Sequence, residues 1–247
     1  MINEYKIGDN NFSPKINKES QQIESWCLSR DFDVYKRYTK NGYFEKINNA
    51  LRTGYTNDFF VQDDIQALDR LFQKMPTQIV PKTDMTVYRG TFLTNELNDI
   101  LQGKSKTDIF TDKGFVSTSR SKQVAKQFAN HEDKILLKIT VPKGSKVIDD
   151  ERLPSYVASI MKGEQEVLLP RNAQFKVLSY DEKSGIVDVL YLGQKQPLEM
   201  PKFFEHSGQD ILSDLNKNSL LIKKIPLYNK ELKNKIWFTY VLTKFQL

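Results

Sequence analysis

Apolar positions recur at helical spacing in the first third of this chain, then switch to short, strand-like runs. Tyr43, Ile47, Ala50 and Leu51 fall on one helical face, and Gly54 supplies the stop. Ile65, Leu68, Leu71, Phe72 and Met75 form a second stripe, ended by Pro76. Thr94 is placed to cap a short helix through Leu97, Ile100 and Leu101 that stops at Gly103, and Ser121 to cap another carrying Val124, Ala125 and Phe128. A further short helix is expected around Tyr156, Val157, Ile160 and Met161. Strand patterns cover residues 87–90, 115–118, 134–141 and 145–148. Three more, at 164–169, 173–180 and 186–192, read as an antiparallel meander with turns at Pro170-Arg171-Asn172 and at 181–185. Helices early and strands bunched late imply an α+β fold.

The ends are different. Residues 1–20 hold Gly8, Asn10, Asn11 and Pro14 with little periodicity and read as an extended arm. Residues 21–195 form the main domain. Gly193, Pro197 and Pro201 then break the pattern, and residues 196–247 carry too few apolar positions for a secure core of their own. They are expected to pack on the main domain as an appendage.

Composition removes several function classes. Cys27 is the only cysteine, which excludes an internal disulfide and a Cys-rich metal site. His131 and His206 have no ligand-spaced partner, so the chemistry is expected to rest on carboxylates, hydroxyls and arginine, with no metal. No apolar run approaches the ~20 residues that span a bilayer, and residues 1–6 lack the plan of a secretory signal. The net charge of +6 is modest for the length, which argues against a dedicated nucleic-acid binder. Lysines do concentrate near the end, at 217, 223, 224, 230, 233, 235 and 244. They read either as a solvated face or as a patch that steers an acidic or nucleic-acid-associated partner.

Candidate chemistry lies in three stretches. Glu164-Gln165-Glu166 puts two carboxylates two residues apart at the head of a run, Val167-Leu168-Leu169, that reads as core strand. Strand alternation would set both on one face, where like charges are tolerated mainly if that face opens into a cleft. Thr86-Val87-Tyr88-Arg89-Gly90 ends a strand pattern in Arg-Gly: the guanidinium is a planar fork suited to phosphate oxygens, and the glycine would let a ligand approach the backbone. Gly114-Phe115-Val116-Ser117-Thr118-Ser119 ends another strand in three hydroxyls, which can equally do no more than finish a strand and cap the next helix.

Arg89, then Ser117-Thr118-Ser119, then Glu164-Gln165-Glu166 resembles the Arg, Ser-Thr-Ser, Glu-x-Glu pattern of mono-ADP-ribosyltransferases found among bacterial toxins and phage enzymes. Upstream, Tyr38-Thr39, Tyr43, Ile47-Asn48 and Leu51-Arg52 are similar to the helical segment preceding the Arg in many members, so the resemblance covers about residues 25–180. It implies two packed, mostly antiparallel sheets with flanking N-terminal helices and NAD, as co-substrate, in the cleft between them. It also implies roles. Glu166 would contact the ribose and stabilise an oxocarbenium-like transition state; Ser117 would hold Glu166; Arg89 would clamp the pyrophosphate; Gly90, Thr118, Ser119 and Phe128 would line the NAD site. Glu164 sits at the family's variable position, where a carboxylate suits an arginine acceptor, and Tyr156 falls in the acceptor-recognition loop, residues 150–163. Arg120 and Lys126 lie where relatives keep a loop over the phosphates and nicotinamide, though no second Arg follows Phe128. The implied activity is NAD-dependent transfer of ADP-ribose to a protein side chain, most consistent with arginine. NAD glycohydrolase and an inert ribosyltransferase-like binding module are the alternatives. The implied partner is a host protein, met in the host cytoplasm by a phage-encoded or injected effector, with no membrane involved.

Overall fold

The computed structural model describes residues 18–40, 42–129, 134–158 and 164–203. Four helices come first: α1 (Lys18–Cys27), α2 (Arg30–Tyr38), α3 (Tyr43–Thr53) and, after the two-residue β1 (Tyr55–Thr56), α4 (Phe59–Gln73). Their boundaries have local causes. Ser29 caps α2 by accepting from the Phe32 amide, Asp58 caps α4 through the Phe60 amide, and Gly54 ends α3 with φ 79°, a conformation that favours glycine. One core cluster joins these helices, with Phe32, Tyr35, Tyr38, Ile65 and Leu68 fully enclosed. The Trp26 indole ties α1 to α4 by donating to the Leu71 carbonyl at 3.0 Å. α1, most of α2 and the pairing of helices were not legible from the periodicity, because α2 is Asp-, Lys- and Arg-rich on its outer face.

The remaining elements are β2 (Met85–Phe92), α5 (Asn95–Leu101), β3 (Ile109–Asp112), β4 (Val116–Ser119), α6 (Lys122–Phe128), β5 (Lys134–Val141), β6 (Ile148–Asp149), α7 (Ser155–Ala158), β7 (Glu166–Leu169), β8 (Ala173–Asp181), β9 (Ile186–Gln194) and β10 (Lys202–Phe203). Thr94 and Ser121 cap α5 and α6 as their sequence positions predict. The α+β class holds. Hydrogen bonding threads eight strands in the order β3-β8-β9-β5-β2-β4-β7-β6, all antiparallel except β5 beside β9. The β2–β4 link has a single register pair, Tyr88 opposite Ser119, so the sheet divides there into two halves. A second core cluster draws Val87, Leu137 and Phe175 from one half and Val116, Val167 and Leu169 from the other. Those halves are the two layers the resemblance implies.

Two sequence expectations need correcting. The meander across 164–192 is not one: β7 pairs with β4 and β6, whereas β8 pairs with β3 and β9. Pro170-Arg171-Asn172 carries the chain from one half to the other. Asn172 adopts φ 58°, and Arg171, almost fully buried, grips Asp69 of α4 at 2.8 Å and donates to the Glu199 carbonyl. A buried crossover strand and a hairpin strand carry the same short apolar signature, so the sequence does not separate them. β3 was also missed, because Thr107-Asp108-Ile109-Phe110-Thr111-Asp112 holds only two apolar residues; its pairing with β8 makes it a strand.

The compact unit holding these elements runs to Lys202, whose amide donates to the Gly54 carbonyl at 2.8 Å. The N-terminal arm up to residue 17, His131, Ile160, Met161 and residues 204–247, with His206 and the C-terminal lysines, lie outside the described residues. Among the described residues no helix is long and apolar enough to cross a membrane.

Candidate active site

β4 is positioned from the helical layer. The Asn48 side chain of α3 accepts from the Phe115 amide at 2.8 Å and donates to the Phe115 carbonyl at 3.1 Å, mimicking a neighbouring strand. Gly114 makes this possible, since a Cβ there would stand 2.8 Å from Asn48 Oδ1. The clamp fixes the strand two residues before Ser117.

Ser117 and Ser119 share one face of β4, and Thr118 takes the other. The Ser117 hydroxyl donates to Glu166 Oε1 across the β4–β7 ladder. Arg89, from β2, donates from Nη1 to the Ser117 carbonyl at 2.6 Å, and its Nη2 lies 3.7 Å from Asp112. Asp112 also receives Arg52 of α3 through Nε and Nη2 at 3.1–3.2 Å. Two guanidinium groups thus share one carboxylate. Burial disfavours the Arg89 cation and Asp112 favours it, with the net lowering its pKa.

The segment before β7 is not a strand. Gln165 adopts φ 47°, its carbonyl accepts from the Arg120 amide at 3.0 Å, and the Glu164 carbonyl accepts from Ser119 at 2.6 Å. The left-handed residue cancels the alternation that would put Glu164 and Glu166 on one face of a strand. Glu164 is exposed, while Glu166, the first residue of β7, is buried. Burial pushes the Glu166 carboxyl up to about 7; the Ser117 hydrogen bond and Arg89 resist this, while Asp150 and Glu164 add to it.

The other sequence candidates fall unevenly. Thr118 points away from the Glu166 face and donates to the Val167 carbonyl, a tie between strands. Ser119 is largely spent on the Glu164 carbonyl and on accepting the Ser121 amide. Packing alone requires glycine at Gly90: a Cβ there would run into the backbone of Ala125 and Phe128 in α6 and of Ala129 at its end. Phe128 is half exposed at the end of α6, and Tyr156 is exposed on α7 with Cys27 and Glu24 of α1 among its electrostatic neighbours. Arg120 is held by Asp149 and Glu151, and the Arg89–Ser117–Glu166 group is brought together without it. A separate cleft of about 420 Å³, lined by residues including Phe72, Lys146 and Tyr191, contains none of the predicted site residues. Sequence reasoning missed Asp112, Tyr35 and Asp150 as members of this region. Arg52 was visible only as part of the Leu51-Arg52 resemblance.

A model of the ADP-ribosyltransferase exoenzyme family matches residues 17–198. The chain belongs to that family. It is accordingly an NAD-dependent ADP-ribosyltransferase of toxin type, and NAD is its co-substrate. Similar solved structures include Plx2a, an ADP-ribosyltransferase toxin from Paenibacillus larvae (22% identity, 71% of this chain and 92% of that one, TM-score 0.51). Others are the Clostridium limosum C3 exoenzyme (23%, 70% and 90%, 0.48) and C3stau2 from S. aureus with NAD (25%, 71% and 93%, 0.49). The likeness to Plx2a is one of fold. No curated protein matches the sequence. The donor set suits this transferase's co-substrate: Arg52 and Arg89 converge on one carboxylate, a cationic pair of the kind that holds a pyrophosphate.

Proposed function

We propose that this transferase moves ADP-ribose from NAD to an arginine side chain of a host protein, with Glu166 at the reacting ribose. One observation carries the reading: a buried carboxyl, Glu166, held by Ser117 beside Arg89, stands one left-handed residue from an exposed carboxyl, Glu164. The buried group suits stabilisation of positive charge, and the exposed group suits an incoming nucleophile.

In the proposed reaction the bond between ribose C1 and nicotinamide nitrogen breaks, and nicotinamide leaves with both electrons. Positive charge develops on the ribose, and ionised Glu166 opposes it from a fixed position with little water around it, the condition in which such stabilisation is largest. Arg89 and Arg52 hold the phosphates. A guanidinium nitrogen of the acceptor then attacks C1, and its proton passes to Glu164, which an amide at that position could not accept. Tyr156, exposed on α7, contacts the acceptor protein, and Phe128 offers a ring face at the edge of the NAD site.

NAD labelled in the ADP-ribose moiety, incubated with this protein and bacterial or eukaryotic lysates, tests the reading. Label on arginine, mapped by mass spectrometry, supports it. Label on another side chain displaces the arginine assignment, and label only in free ADP-ribose makes the protein a glycohydrolase.

A further inference from the structure

The end of strand β6 brings a second acid, Asp150, beside Glu166. β6 and β7 run antiparallel with Ile148 opposite Leu168 and Asp149 opposite Val167. Asp150 follows at once, as the first residue of a 3-10 turn over Asp150–Arg152, and its carboxyl meets the backbone amide of Glu166. Both are buried, at 6% exposure each. Like charges this close disfavour one another, and more so out of water.

The two adjacent aspartates are treated differently. Asp149 is neutralised by Arg120 and by Arg152, the latter at 3.0 Å. Asp150 receives instead a neutral donor, the fully buried Tyr35 hydroxyl of α2, at 2.9 Å on Oδ1, and its Oδ2 has no hydrogen-bond partner among the described residues. The backbone amide of Glu166 faces Asp150 and favours its ionised form. The proposed NAD chemistry makes no use of this carboxyl.

We propose that Asp150, anchored by Tyr35, is a positioning residue for Glu166: it fixes the first residue of β7 and presents a negative charge to the Glu166 carboxyl. The inference rests on the reading of Glu166 as the group that stabilises the ribosyl cation.

The electrostatic consequence has a definite sign. Around Glu166, the Ser117 hydroxyl and Arg89 favour the charged form, whereas burial, Asp150 and Glu164 oppose it. The Tyr35 and Tyr38 phenols of α2 feel Glu166 in turn and are pushed well above their ordinary value, chiefly by burial. Around Asp150, burial, Asp149 and Glu164 push the carboxyl up to about 6 against Tyr35 and the Glu166 amide. Removing the charge at Asp150 therefore makes Glu166 easier to ionise. If activity needs ionised Glu166, the acid limb of the pH profile moves down.

Asp150→Asn keeps the shape and an acceptor for Tyr35 but removes the charge. Its acid limb for nicotinamide release from NAD should lie roughly one pH unit below wild type, the scale of a coupled pair. Tyr35→Phe, which leaves Asp150 less readily charged, should shift it the same way by less. A role confined to packing would lower the rate at every pH without moving the midpoint, and that result overturns the proposal. Titration of the Glu166 carboxyl by carbon NMR in selectively labelled protein gives a readout independent of turnover. A lowered Glu166 midpoint in Asp150→Asn supports the proposal. An unmoved midpoint overturns it whatever the activity. A lowered midpoint in a protein whose wild type releases no nicotinamide at any pH leaves the positioning role standing and defeats the reading of Glu166 in the reaction.

Discussion

Replacing Glu166 with Gln should stabilise this protein above neutral pH while abolishing its turnover. The carboxyl is buried, and its folded-state value is raised from 4.5 to about 7. The folded protein therefore holds the Glu166 proton more tightly than the unfolded chain does. That contribution is complete below about pH 4.5 and is lost as the pH climbs through 7. At about 1.4 kcal/mol per pH unit, the full loss is about 3 kcal/mol. Gln cannot ionise and escapes it. The new amide N–H groups need acceptors, which costs about 1–3 kcal/mol, but that cost does not vary with pH. The informative quantity is thus the stability gap between variant and wild type, followed from pH 4 to 8.5 by urea and thermal denaturation. The gap should be flat below about 4.5, swing in favour of the variant by about 3 kcal/mol through the window up to 7, and flatten above it. In melting temperature the swing is roughly 6–12 °C for a chain of this size. Nicotinamide release by the variant should be down by at least about a hundredfold, since a charge aimed at the transition state is lost. A gap independent of pH, or one that swings towards wild type, would refute the assignment of Glu166 as a strained, buried acid. Normal turnover by the variant would refute its role.

Other substitutions probe the remaining geometry. Arg89→Lys should weaken NAD binding by about tenfold or more in calorimetry, because one ammonium cannot hold the Ser117 carbonyl, face Asp112 and grip two phosphate oxygens at once; an unchanged dissociation constant would show that Arg89 does not contact NAD. Glu164→Gln should lower transfer to arginine more than NAD hydrolysis, read as the ratio of protein-bound to free label, and equal losses would place Glu164 in the NAD site instead. Gly90→Ala should destabilise the fold by about 1–3 kcal/mol, since the obstructing atoms are α6 backbone and cannot rotate aside; a wild-type melting temperature would show that α6 does not sit against β2.

The class of the fold and the order of the site residues were legible because both are local. Thr94 and Ser121 announce helix starts by their own chemistry, and the run at 134–141 is bounded by Pro142 and Gly144. What was not legible is who lies beside whom. Leu168 and Val177 both sit in short apolar runs, yet one strand pairs with β4 and the other with β9. The Glu164–Glu166 spacing read as strand for a related reason: alternation was extrapolated past Gln165, whose positive φ has no glycine to advertise it. At Gly90 the packing requirement was hidden, because the helix backbone it meets comes from residues 125–129, far along the chain.

The polar groups the sequence could not place are the ones that break the rules for a buried interior. Asn48 sits in a helix but spends its amide as a strand would, Asp150 keeps an oxygen without a donor among the described residues, and Glu166 lies close enough for the two carboxyls to repel. Each is costly alone, and sequence reasoning assigns such residues to the surface by default. They tie the helical layer to the β4–β7–β6 half of the sheet, Asn48 through Phe115 and Asp150 through Tyr35, and Glu166 meets Ser117 there. Buried polar groups held in fixed positions by packing and hydrogen bonds are what a preorganised site requires. Tyr35 is the residue that connects the two regimes. Its ring belongs to the helical core and its hydroxyl to the acid pair, so packing of α2 transmits directly to the carboxyls. Loosening that core, for example by Phe32→Ala beside the Tyr35 ring, should therefore alter the pH profile as well as the melting temperature. A variant that loses only stability would show that α2 supports the fold and leaves the acids alone.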